Sequence, residues 1–224
     1  MASELDDAIH DMRTGTHAVL VYDTLAHKRE ILLKHLKEGV GQEGLVYAYA
    51  GEEPVEFKRE MSSRGIDSDD LTQKGLLTIT PSTDMYLKDG VVDIQSTIAG
   101  FADLAWGYKK KGLKGIRAGA DLSPLARKNT IRDLQDYEEA LGRTFKFPGK
   151  GICAYNLVDL YNTGQLNALL PIFMAHGLVI LSGPGGYAIR QPEEIRKEGL
   201  GGVLHHVLPG EPKPPSGFRP VSSP

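Results

Sequence analysis

The chain has 224 residues, 41% of them hydrophobic and 25% charged, with a net charge of −3. That length carries one α/β domain with a full core, or at most two small ones, and the charge offers no footing for nucleic acid. A single cysteine excludes an internal disulfide framework and any Cys-rich zinc site. No run approaches the roughly 18 apolar residues of a membrane span, and the acidic start MASELDDAIHDMRTG is no secretory signal, so a cytoplasmic protein without membrane contact is expected.

From residue 17 to about 190, strand-like and helix-like segments alternate. His17–Tyr22 (HAVLVY) is a short apolar run, followed by Asp23 and Thr24 as caps for a helix that Gly39 ends. Leu25, Leu32, Leu33 and Leu36 form the apolar stripe of that helix. Leu45–Ala50 is a second strand. Pro54 suits the first turn of the next helix and Gly65 its end, and Leu76–Thr80 is a third strand. A loop over Thr83–Gly90 leads to the clearest helix, with Asp93 as cap and Ile94, Ile98, Phe101, Ala105 and Tyr108 on one face. Lys109, Lys110, Lys111 and Lys114 at its end suit a helix C-terminus.

Gly115–Ala120 is a fourth strand. Ile131, Leu134, Glu138 and Leu141 give a weaker helical stripe capped by Asn129 or Thr130, and Pro148-Gly149-Lys150-Gly151 reads as a turn. Ile152–Leu157 is a fifth strand. Leu166, Leu169, Leu170 and Phe173 lie on a helix that Pro171 should kink or divide. Leu178–Leu181 is a sixth strand, and Tyr187–Arg190 returns as an antiparallel edge after Gly183-Pro184-Gly185-Gly186. The pattern predicts an α/β fold with a mainly parallel sheet of six or seven strands and helices on both faces. The organisation expected is an extension over residues 1–15, a domain over 16–200 and a proline-rich tail over 201–224, whose end LPGEPKPPSGFRPVSSP has no regular structure of its own.

Ligands of open parallel sheets bind beyond the carboxyl ends of the strands. That rule gathers Tyr22, Asp23, Glu52, Glu53, Asp121, Tyr155 and Asn156 as ligand-binding candidates, a polar and acidic set suited to a small polar ligand or a cation. Caps and turns account more readily for single residues of this kind, Asp23 and Asp121 among them. Glu52 and Glu53 stand in the turn Gly51-Glu52-Glu53-Pro54 just past a buried strand, where an ATPase of the RecA/KaiC type keeps the carboxylate that activates water. A phosphate loop, however, needs G-x-x-x-x-G-K-[ST] between strand and helix. The turn after the first strand, Val21-Tyr22-Asp23-Thr24-Leu25-Ala26-His27-Lys28, has no glycine to wrap a phosphate, and Asp23 repels one. The seven histidines show no metal-ligand spacing, so neither metal nor cofactor is expected, and Cys153 lies in a buried strand as a small hydrophobe. No catalytic residue stands out.

The pieces THAVLVYD, GEEP, GLLTIT, GYKKKGLKGIRAGAD, DLQDYEEAL, KGICAYN and HGLVIL follow one another, from Thr16 to Arg190, in the order and spacing of a known family. Together they resemble the DcmR-type sensory (MEDS) domain of methanogens and methylotrophs, itself similar to a three-layer KaiC/RecA-like fold without the phosphate loop. The resemblance implies sensing of a small organic ligand, one-carbon or hydrocarbon-derived, and regulation of an output. It adds His17 and Cys153 to the ligand-binding candidates, because His17, Tyr22, Cys153, Ala154 and Tyr155 match the family's recurring residues. Two departures stand out: Asn156 replaces a common aspartate, and Ala120-Asp121 replaces a frequent Glu-Met pair.

The function expected is therefore a non-catalytic sensing or regulatory domain, working through a protein partner or self-assembly by way of the C-terminal tail. The alternative is a degenerate RecA-like scaffold subunit that binds no small ligand. An ATPase ranks last, since nothing in the sequence grips a triphosphate.

Overall fold

The first strand, β1 (His17–Tyr22), is buried at all six positions, as a strand covered on both faces must be. It is followed by β2 (Gly44–Tyr49), β3 (Leu77–Pro81), the short β4 (Leu87–Lys88) and β5 (Val91–Val92), β6 (Ile116–Asp121), β7 (Gly149–Asn156), β8 (Leu178–Gly183) and β9 (Gly186–Arg190). In this computed structural model, which describes residues 4–126 and 130–208, seven of these strands form one sheet in the order β3-β2-β6-β7-β1-β8-β9. Every pairing in it is parallel except that of β8 with β9.

Alternation along the strands divides the core into two layers. Val19, Val21, Ala118, Ala120, Cys153, Tyr155, Val179 and Leu181 face one way. Ala18, Leu20, Tyr22, Tyr47, Ile152, Ala154 and Ile180 face the other. The second face is covered by α1 (Glu4–His10), α2 (Leu25–Lys37), α3 (Pro54–Ser63) and α4 (Ser68–Gln73), which bring Leu5, Ile31, Leu36, Phe57 and Leu71. The first is covered by α5 (Ser82–Tyr86), α6 (Ile94–Lys110), α7 (Ile131–Leu141), α8 (Leu157–Asn162), α9 (Leu169–Ala175), α10 (Pro192–Glu198) and α11 (Leu200–Val207). The result is the three-layer α/β fold that the alternation predicts.

Local chemistry explains the boundaries. Asp93 caps α6 by accepting from Ser96 N–H, and Thr24 caps α2 by accepting from His27 N–H. Gly44 lies where a Cβ would sit 2.2 Å from the Tyr108 ring, so only glycine lets α6 seat against β2 there.

Several expectations are corrected. The stretch Thr83–Gly90 is not a plain loop: it holds most of α5, then β4 and the turn at Asp89 and Gly90, both at positive φ, that pairs β4 with β5. Such an Asp-Gly pair is the signature of a two-residue type I′ turn. Gly149–Gly151 belongs to β7 rather than to a turn, and Leu157 opens α8 rather than ending the strand. The helix expected around Pro171 divides earlier, into a 3-10 turn at Leu166–Ala168 and α9 from Leu169, with Pro171 inside the first turn of α9. Thr130 is the residue before α7 but makes no side-chain cap; its hydroxyl donates to the Leu125 carbonyl. Asn129, the other cap proposed, lies outside the described residues.

The segment before residue 16 carries α1, whose Leu5 and Ile9 are buried together with Met12. The segment from residue 201 continues α11 to Val207, with Val203 and Val207 buried; the proline-rich stretch beyond Leu208 lies outside the described residues. No helix of the described residues is long and apolar enough to cross a membrane.

Candidate functional site

Past the carboxyl end of β1 the chain turns through Asp23 and Thr24 into α2, which places Lys28 in the first helical turn with its side chain fully buried. The Lys28 ammonium donates to the Ala50 carbonyl, Glu52 Oε1 and Asp121 Oδ2, each at 2.8 Å. An ammonium has three N–H donors, and all three are used. Gly51, at φ 67°, turns the chain after β2 so that the Glu52 carboxylate folds back beneath the strand ends. Glu52 Oε1 also accepts from the Tyr47 hydroxyl, and Oε2 accepts from Arg29 Nε at 2.7 Å.

Asp121, at the end of β6, accepts from the Tyr22 hydroxyl at 2.7 Å through Oδ2. Its Oδ1 accepts from Ser123 N–H at 3.0 Å and from the Ser123 hydroxyl at 2.6 Å. Ser123 Oγ in turn accepts from Asn156 N–H at 2.8 Å, joining β6 to β7. Two cations, Lys28 and Arg29, thus meet two buried carboxylates, Glu52 and Asp121, and every carboxylate oxygen has a donor. Burial, reinforced by the neighbouring Asp121 charge, pushes the Tyr22 hydroxyl far above its usual range, so it remains a donor.

Above this floor lies a crevice of about 420 Å³, lined by Tyr22, Asp121, Ser123, Asn156, Asp159 and Thr163 among others. Tyr22, Glu52, Asp121 and Asn156 therefore come together at the strand ends. Asp23 stands beside them, paired with the His27 imidazole, and its carbonyl accepts from Asn156 Nδ2 at 3.4 Å. Glu53 does not join them: it is exposed at the N-cap of α3 and makes no side-chain cap bond.

Tyr155 is also elsewhere. It is fully buried on the opposite face of the sheet, where its hydroxyl donates to Glu138. Alternation explains this, because Tyr155 shares its face with Cys153 and not with Ala154. His17 and Cys153 come together on that same face. The sulfur lies 3.4 Å from His17 Nε2, and Glu138 Oε2 lies 3.3 Å from the same nitrogen.

His176, which ends α9, completes the group with its Nε2 3.5 Å from Glu138 Oε2. One ligating atom from each of His17, Glu138, Cys153 and His176 lies within 4.8 Å of the others, and all four residues are buried. Burial and the adjacent His17 lower His176 to about 3, leaving a neutral imidazole. Burial and the adjacent Glu138 push the Cys153 thiol well up.

Lys28, Arg29 and Tyr47 are absent from the residues the sequence nominates at the strand ends, and Glu138 and His176 from those it nominates on the other face. A signal existed for Lys28. Laid on G-x-x-x-x-G-K-[ST], Tyr22 and His27 occupy the glycine positions, Lys28 the lysine and Arg29 the hydroxyl. A signal existed for Glu138 too, since it interrupts the apolar stripe of α7 with a carboxylate.

The crevice can hydrogen-bond a small molecule, but its lysine is spent on protein acceptors. The turn from Tyr22 to Lys28 has no glycine backbone to wrap a phosphate.

Residues 16–170 match the family described as MEDS, the methanogen/methylotroph DcmR sensory domain. No curated protein matches the chain. Among solved structures, the KaiC-like protein PH0186 from the hyperthermophilic archaeon Pyrococcus horikoshii OT3 is similar at a TM-score of 0.53 and 16% identity, over 80% of each chain. That likeness shows the fold. The chain belongs to the MEDS sensory-domain family, built on a KaiC/RecA-like fold.

Proposed function

We propose that this chain is a non-catalytic sensory module that binds a small organic molecule in the crevice at the strand ends and passes the signal to a protein partner or a second copy of itself. The observation that carries the reading is the closed set Lys28–Glu52–Asp121. The carboxylate best placed to activate water, Glu52, already accepts from Lys28, Arg29 and Tyr47. A base held by three donors and fully buried is poorly placed to meet water, and a lysine so occupied has no N–H free for a phosphate.

The crevice volume, about 420 Å³, lies within the range of small-ligand pockets, roughly 300–1,000 Å³. It exceeds what a one-carbon compound fills. That favours a hydrocarbon derivative of several heavy atoms carrying hydrogen-bonding groups. Ser123 and Asn156 bring polar atoms to its wall, Leu25 and Pro124 apolar ones.

The test is a thermal-shift screen with short diols, carboxylic acids, amides and one-carbon compounds, run beside Thr163→Trp, which fills the crevice from its rim. A ligand of the folded state raises the melting temperature with concentration, and the filled variant should abolish the rise. If no compound shifts the wild type, or shifts survive in Thr163→Trp, the crevice is not the sensing site.

A further inference from the structure

We propose that His17, Glu138, Cys153 and His176 form a binding site for one divalent transition-metal ion, zinc by preference. The set lies away from the crevice at the strand ends and shares no residue with it.

The geometry is that of a closed tetrahedral centre. A zinc ion takes four ligands at about 2.0–2.3 Å, which sets ligand-to-ligand edges of about 3.3–3.8 Å. The edges here are 3.3 Å from His17 Nε2 to Glu138 Oε2, 3.5 Å from His176 Nε2 to Glu138 Oε2, and 3.4 Å from His17 Nε2 to Cys153 Sγ. Two imidazole nitrogens, one thiolate and one carboxylate oxygen suit a borderline metal such as zinc better than calcium or magnesium, which take oxygen alone.

The surroundings hold these ligands in the form a metal requires. The other ring nitrogen of each histidine lies against a backbone carbonyl, Nδ1 of His17 at 2.7 Å from Gly142 O and Nδ1 of His176 at 2.6 Å from Ile172 O. Each Nδ1 therefore carries the proton, and each Nε2 turns a lone pair inward, the arrangement that orients metal-ligating histidines. Tyr155 donates to the far oxygen of Glu138 and so leaves Oε2 free.

Among the described residues, Glu138 Oε2 and His176 Nε2 are buried without a hydrogen-bond partner. Two acceptors facing each other in a dry interior are costly alone, and a cation between them satisfies both. On binding, the Cys153 S–H bond breaks, sulfur keeps the electron pair and bonds the metal, and the proton leaves to solvent. Glu138 and the thiolate then carry two negative charges against the ion's two positive ones.

Cys153 also borders a small apolar cavity of about 20 Å³ between Tyr86, Phe101 and Phe147, room for little more than one water. That cavity has no room for a substrate, so the centre is structural. It ties β1, α7, β7 and the end of α9 together, and the stability of the sensory domain becomes metal-dependent.

The experiment is metal analysis of untagged protein purified without chelators, followed by cobalt substitution. The expected result is about one zinc per chain, and a cobalt form whose near-ultraviolet thiolate-to-metal band disappears in Cys153→Ser. Chelation should lower the wild-type melting temperature and added zinc restore it. This arm serves if the variant does not fold. Substoichiometric metal with no saturable zinc or cobalt binding overturns the proposal, as does a cobalt spectrum that Cys153→Ser leaves unchanged. The crevice screen reads a separate set of residues at the strand ends, so either proposal can fail alone.

Discussion

Replacing Lys28 with Met removes the cation from the middle of the strand-end network while keeping the length and volume of the side chain. Lys28 is fully buried and bonds Ala50 O, Glu52 and Asp121, each at 2.8 Å. Glu52 keeps Arg29, but Asp121 keeps only the neutral donors Tyr22 and Ser123. Breaking a buried ion pair from one side costs about 3–5 kcal/mol, because the other charge stays buried and uncompensated. For a domain of this size each kcal/mol lowers the melting temperature by about 2–4 °C, which gives a fall of about 6–20 °C.

The assay is urea and thermal unfolding at neutral pH, followed by a double-mutant cycle. Asp121→Asn added to Lys28→Met should recover much of the loss, and Glu52→Gln should recover less, because Arg29 already balances Glu52. A Lys28→Met variant that loses under about 1 kcal/mol, or shows no coupling to Asp121 beyond the few tenths expected of independent sites, refutes the closed network.

Three further outcomes follow from single contacts. Ser123→Ala removes a hydroxyl that donates to Asp121 and accepts from Asn156 N–H, and should cost about 1–3 kcal/mol in urea unfolding; a neutral result would mean those groups find other partners. Gly44→Ala drives a Cβ to 2.2 Å from the Tyr108 ring and should cost about 1–3 kcal/mol as α6 is pushed off β2, with an unchanged melting curve as the contrary result. Burial, and then the Arg117 charge, hold the His35 imidazole well below its usual range. The unfolded chain therefore takes up a proton that the folded chain refuses below about pH 6.5. Stability from this group is present above that pH and is lost below it, at up to about 1.4 kcal/mol per pH unit. His35→Gln should flatten the stability profile between pH 6.5 and 5, and an unflattened profile would assign the acid sensitivity elsewhere.

Much of the sheet was readable because periodicity and caps agreed. The run His17–Tyr22 is β1 residue for residue, and Asp93 caps α6 as its position before Ile94 implies. The proline-poor stretch from Gln191 to Leu208 was harder. Helices α10 and α11 are short, and α11 is held by packing on β8: a Cβ at Gly183 would meet Val207 O at 2.6 Å. Such tertiary support leaves no mark on local propensity.

At the strand ends, the rule for open sheets located Tyr22, Glu52, Asp121 and Asn156. It could not say that Lys28 joins them, because a lysine four residues into a helix reads as solvated. The buried cluster was hidden by distance along the chain. His17 and Cys153 meet through the β1–β7 pairing, which sets Val19 opposite Cys153, while Glu138 and His176 arrive from α7 and α9. Register and helix placement decide that meeting, and neither is local.

We propose that Lys28 stands where a phosphate would be gripped and closes that position with its own charge network. Calorimetric titration with ATP and magnesium tests it most directly. The expected result is no saturable heat, no rise in melting temperature and no phosphate release. Saturable, magnesium-dependent ATP binding that disappears in Lys28→Met would contradict it, because the lysine would then be gripping phosphate in place of Glu52 and Asp121.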